Sequence, residues 1–132
     1  SKSSLNAAKY VGKHAKDLRS KCSVTLVSVH DDIGLGHVKQ FVAKSVIDDY
    51  LREVSEKELK TAQKALDAAG VKHNMAIKRG NVAQEILNLA NKEKFDLIVM
   101  GSKGRSGIVD TMMGSVAQRV SNTAKQAVLL VK

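Results

Sequence analysis

The sequence has 132 residues, 43% of them hydrophobic and 27% charged, with 22 Lys and Arg against 13 Asp and Glu. That length makes one domain, residues 1–132, and no apolar run reaches the roughly 18 residues of a membrane span, so a membrane partner is not expected. The net charge of +9 is scattered along the chain beside two Tyr, two Phe and no Trp, which disfavours nucleic acid but draws in polyphosphate ligands.

In chain order, Leu5, Ala8, Val11, Ala15 and Leu18 recur at helical spacing over residues 4–20. The lone Cys22 follows; it excludes an intrachain disulfide, fits a reducing cytoplasmic setting and is expected to pack as a small hydrophobe. Val24 to Val29 is rich in β-branched residues and reads as a buried strand, and the glycines of residues 31–36 make a loop. A long helical pattern runs from about Val38 to Ala69, as one long helix or two in series, marked by Phe41, Ile47, Leu51, Val54, Leu59, Ala62 and Leu66, and Gly70 closes it. A second strand is expected over Val71–Lys78. Asn81 then caps a helix bearing Val82, Ile86, Leu89 and Ala90 on one face. Phe95–Met100 reads as a third, largely buried strand, Val116, Val120 and Ala124 as another helical face, and Ala127–Val131 as a closing strand. Alternating helices and apolar strands predict an α/β fold, an open parallel sheet with helices on both faces.

The informative stretch runs from Met100 to Ser115. Gly101 ends a predicted strand, where open α/β sheets bind their ligands. Glycines there let a phosphate approach backbone N–H groups, and Gly114-Ser115 opens a helix whose first N–H groups attract anions. The Ser115 hydroxyl adds a donor, and Lys103 and Arg105 add positive charge. The pattern is neither Gly-x-Gly-x-x-Gly nor the P-loop.

Gly101, two residues, Gly104, nine residues, then Gly114-Ser115 resembles the Gly-x2-Gly-x9-Gly-Ser/Thr signature of ATP-binding universal stress proteins. Ser3-Ser4 before an Ala-containing helix, Val29-His30-Asp31, Gly80-Asn81-Val82 and Ala127–Lys132 resemble further segments of that family. The resemblance implies a Rossmann-related sheet of five parallel strands in order 3-2-1-4-5, and a homodimer formed through the last strand. Carried over by position, Val29 contacts adenine, and Met100 and Gly101 line the ribose. Gly104, Gly114, Ser115 and the Val116 N–H hold phosphates, and Ser102 and Lys103 lie in the loop between. The family's first strand, ending in a nucleoside-binding Asp, has no counterpart here. Because the chain opens Ser1-Lys2-Ser3 without Met, that strand is expected upstream, its absence leaving a gap between two halves of the sheet.

Other constellations carry less. His14, His30, His37 and His73 lack a metal-ligand spacing. Asp31-Asp32 suits either Mg²⁺ beside the phosphates or a solvated loop. Glu53, Glu56 and Glu58 against Lys57 and Lys60 read as a helix surface, and Met112-Met113 as core. No nucleophile–base pair or carboxylate dyad stands at catalytic spacing, so ATP hydrolysis is expected to be slow at most. The expected function is an ATP-binding, nucleotide-responsive stress or signalling module. Two alternatives stay open: a weak ATPase of the same fold, and a dimeric interaction protein that binds no nucleotide.

Overall fold

The computed structural model describes residues 2–15, 22–30, 43–103 and 113–132. Helices and strands alternate through them: α1 (Lys2–His14), β1 (Val24–His30), α2 (Lys44–Ala68), β2 (His73–Arg79), α3 (Val82–Lys92), β3 (Leu97–Gly101), α4 (Ser115–Thr123) and β4 (Ala127–Val131). The predicted order of elements holds, and the boundaries move. Helix α1 runs Lys2–His14 and so starts two residues earlier than expected, while residues 16–20 of its expected span lie outside the described residues. Helix α2 starts at Lys44 with Ala43 at its N-cap, and residues 38–42 of the expected helical stretch lie outside the described residues. Phe41 lies outside the described residues.

Two strand starts were expected two residues too early, for one shared reason. At the end of α2, Gly70 takes a left-handed backbone (φ 72), and the Val71 N–H then donates to the Leu66 carbonyl at 2.9 Å. After α3, Lys94 takes the same conformation (φ 55), and the Phe95 N–H donates to the Ala90 carbonyl at 2.9 Å. Both apolar residues therefore close a helix instead of opening a strand. β2 begins at His73 and β3 at Leu97.

The strands form two parallel pairs. β1 runs beside β2 from Val24 opposite His73 to His30 opposite Arg79. β3 runs beside β4 from Leu97 opposite Ala127 to Gly101 opposite Val131. Among the described residues the two pairs are not hydrogen-bonded to each other. Helices join them: α1 packs on α2, β3 and β4, while α2 packs on β1 and β2. Likewise α3 packs on α4, β1 and β2, and α4 reaches β4.

Burial follows the helices more than the strands. Along α2 the buried residues are Ile47, Leu51, Ser55, Leu59 and Leu66, an i, i+4 stripe with a serine in its middle. The Ser55 hydroxyl is buried without a hydrogen-bond partner among the described residues. On the other side, Ala83, Leu87 and Val120 form a core against Ile98, Met100 and Val128 of the second pair. The strands were expected to be buried; instead β1 is half-buried throughout, and Leu97 is exposed. Among the described residues each strand pairs with a single neighbour, which leaves its other edge without a ladder. Cys22 is exposed rather than packed, and Met113 is exposed rather than core. Glu53, Glu56, Lys57, Glu58 and Lys60 lie on the surface of α2, as expected. No helix among the described residues is long and apolar enough to cross a membrane.

Candidate functional site

The two ends of the glycine motif meet at the carboxyl end of β3. The Ser102 N–H donates to the Val131 carbonyl at 2.9 Å, which extends the β3–β4 ladder one residue past Gly101. The Gly114 N–H donates to the Ser102 carbonyl at 2.7 Å, which brings the start of α4 to the same point. Met100, Gly101, Ser102, Lys103, Gly114, Ser115 and Val116 are thereby assembled around one strand end. Gly104, Arg105 and the Asp31-Asp32 pair lie outside the described residues.

Among the described residues helix α4 opens without a side-chain cap. Gly114 is its N-cap, no side-chain hydrogen bond is made there, and the first helical bond runs from the Gln118 N–H to the Gly114 carbonyl at 2.9 Å. Helix α3 is built differently, since Asn81 Oδ1 accepts from the Gln84 N–H at 3.0 Å, as the sequence predicts. Gly114 has φ −61 and ψ 151, a conformation open to every residue, so its backbone does not require glycine. Val116 packs its side chain against the Ala83, Leu87 and Val120 core and keeps only its main chain for the helix start.

Val29 lies on the other pair, one residue before the end of β1 and opposite Lys78. That end is fastened by the Gly80 N–H donating to the His30 carbonyl at 2.9 Å. Arg79 at the end of β2 pairs with Asp48 of α2 at 2.6 Å. An ion pair with half-exposed members is worth little in stability, but it orients the guanidinium.

One contributor escaped the sequence. Ser3, buried in the first turn of α1, donates from Oγ to the Lys103 carbonyl at 2.8 Å and accepts from the Lys103 N–H at 3.3 Å. Gly101 makes this approach feasible: a Cβ there would stand 2.6 Å from the Ser3 carbonyl carbon and from the Ser4 nitrogen. The sequence assigned Gly101 to ligand approach; its missing side chain also seats helix α1. Two open depressions lie at the opposite, amino ends of the strands, one beside Lys94 and Gln126, the other beside Cys22 and His73.

Comparisons with known proteins agree on one family. The universal stress protein family matches residues 1–132. The chain is 35% identical over 130 residues to universal stress protein MJ0531 of Methanocaldococcus jannaschii, covering 98% of this chain and 75% of that protein. It is 37% identical over 95 residues to universal stress protein YxiE of Bacillus subtilis, covering 70% of this chain and 64% of that protein. Among solved structures, MJ0577 superposes with a TM-score of 0.80 at 28% identity, covering 96% of this chain and 85% of that one. A universal stress protein in complex with cAMP superposes with a TM-score of 0.60 at 27% identity, covering 99% and 88%.

Proposed function

The chain belongs to the universal stress protein family, and from that premise we propose that it binds an adenine nucleotide, ATP foremost, as a nucleotide-responsive stress or signalling module. The observation that carries this reading is the Gly114–Ser102 hydrogen bond of 2.7 Å, which joins the motif's two ends at a strand terminus. A helix start with no side-chain cap, a serine hydroxyl at its first position and a lysine beside the strand end suit a polyphosphate. An uncapped helix start still has N–H groups to offer a ligand. The cAMP complex of a relative supports adenine as the base. Val29, Met100 and Gly101 would face the nucleoside. Ser102, Lys103, Gly104, Arg105, Gly114, Ser115 and Val116 would face the phosphates, with Mg²⁺ as an optional companion.

The test is calorimetric titration of the protein with ATP, GTP and cAMP, with mass spectrometry of nucleotide retained through purification. Saturable ATP binding tighter than GTP is expected. Heat changes no larger than buffer dilution for all three would hand the lead to the interaction-protein reading.

The same reading makes the protein a homodimer through β4. That strand is Ala127-Val128-Leu129-Leu130-Val131, apolar throughout, only half-buried from Val128 onward, and hydrogen-bonded within the chain to β3. An apolar strand edge of this kind recruits a second strand, and two-fold symmetry places like residues against like. A double substitution, Leu129→Lys with Leu130→Lys, is expected to give monomers by light scattering. Monomeric parent protein at micromolar concentration would show that β4 is not an interface.

A further inference from the structure

We propose that Ser3 is a positioning residue for the candidate nucleotide site: its buried hydroxyl fixes the main chain of Lys103 against the first turn of α1. The inference rests on the nucleotide-binding reading and adds to it a residue that contacts no ligand.

The geometry is specific to one group. A serine hydroxyl has one proton to donate and lone pairs to accept. Ser3 uses both functions on the same residue, donating to the Lys103 carbonyl at 2.8 Å and accepting from the Lys103 N–H at 3.3 Å. Alanine can do neither. Strand β3 ends at Gly101, and beyond Ser102 the ladder to β4 gives no further bond among the described residues. Past that point Ser3 holds the chain's path from α1 and the Gly114–Ser102 bond holds it from α4.

Three features mark this as a built contact. Ser3 is 5% exposed, on a helix whose neighbours Lys2 and Ser4 are exposed. Gly101 is cut back to hydrogen at the point where α1 arrives, leaving the Ser3 carbonyl carbon no room for a Cβ. Lys103 lies 100 residues away in sequence, so the bond ties the first described helix directly to the glycine motif. A main chain held at Lys103 keeps that end of the candidate site in one position, and the entropy of ordering it is not charged to binding.

The experiment compares Ser3→Ala with Ser55→Ala, a matched loss of a buried hydroxyl that makes no hydrogen bond. Two quantities are read: amide hydrogen exchange at Lys103 in nucleotide-free protein, and ATP affinity by calorimetry. Ser3→Ala is expected to speed exchange at Lys103 and weaken ATP binding, each by about tenfold, near the net worth of one hydrogen bond. Ser55→Ala is expected to move neither. Should Ser3→Ala fail to fold, Ser3→Cys keeps the volume, weakens both bonds and carries the same test. Unchanged exchange at Lys103, or faster exchange with unchanged affinity, overturns the proposal. A parent protein that binds no ATP instead overturns the nucleotide reading, and with it any role of Ser3 toward a ligand.

Discussion

Gly101→Ala is expected to destabilise the protein by about 3 kcal/mol, the upper part of the range for forcing an extra carbon into a packed site. The new Cβ would meet the Ser3 carbonyl carbon and the Ser4 nitrogen at 2.6 Å, and these are backbone atoms of a helix. No rotamer change relieves such a contact. Either α1 backs away from β3, losing the Ser3–Lys103 bonds, or β3 shifts against its ladder to β4. Backbone conformation is not the issue, because the described glycines with positive φ are Gly70 and Gly80. Gly12 supplies the contrast. A Cβ there would lie 3.1 Å from the Ala69 Cβ and 3.6 Å from the Ala65 carbonyl, a tight meeting of two side chains. Alanine also gains up to about 1 kcal/mol over glycine within a helix, which offsets the crowding. Gly12→Ala is therefore expected to stay within about 0.5 kcal/mol of the parent. Denaturant unfolding followed by circular dichroism measures both. A Gly101→Ala protein as stable as its parent would mean that α1 does not sit where it is described.

The site was partly legible in the sequence because it is local. Gly101, Ser102, Lys103, Gly114, Ser115 and Val116 belong to one stretch, and a strand-to-helix reading was enough to bring them to one place. Strand β4 was found residue for residue, as apolar β-formers bounded by polar residues. The Asn81 cap was equally plain, since its side chain acts three residues away. What sequence reading missed is long-range or depends on conformation. Ser3 bonds a residue 100 positions away, and nothing in Lys2-Ser3-Ser4 says which serine turns inward. Ser55 fills a place in the α2 stripe where an aliphatic side chain is the norm. Val71 and Phe95 look like strand residues, but each follows a left-handed residue that hands it to a helix end. Lys94 gives no such warning, because lysine is not a residue that advertises positive φ. Cys22 and Met113 are exposed although their residue types favour burial, because residue type is a tendency that position overrides.

Gly114→Val is expected to weaken ATP binding by about two orders of magnitude. Glycine at this N-cap has an allowed φ of −61, so valine can take the backbone without strain, and the protein is expected to fold. The substitution acts through space and capping. A β-branched group would stand at the opening of α4, beside the Ser102 carbonyl that the Gly114 N–H reaches at 2.7 Å. Phosphate oxygens drawing on the first N–H groups of α4 would be held off by it. Losing two charge-assisted hydrogen bonds at roughly 1.5 kcal/mol each removes about 3 kcal/mol of binding, which is about two decades in Kd. The helix itself loses less, about 1 kcal/mol for an aliphatic residue in place of glycine at an N-cap. Lys103→Ala sets the scale from the other side. Its side chain is half-buried and brings one screened charge, so roughly a threefold loss is expected. Calorimetric titration of both variants, with circular dichroism confirming the fold, separates the effects. If folded Gly114→Val binds ATP as tightly as the parent, the glycine motif only turns the chain, and α4 opens toward solvent rather than toward a ligand.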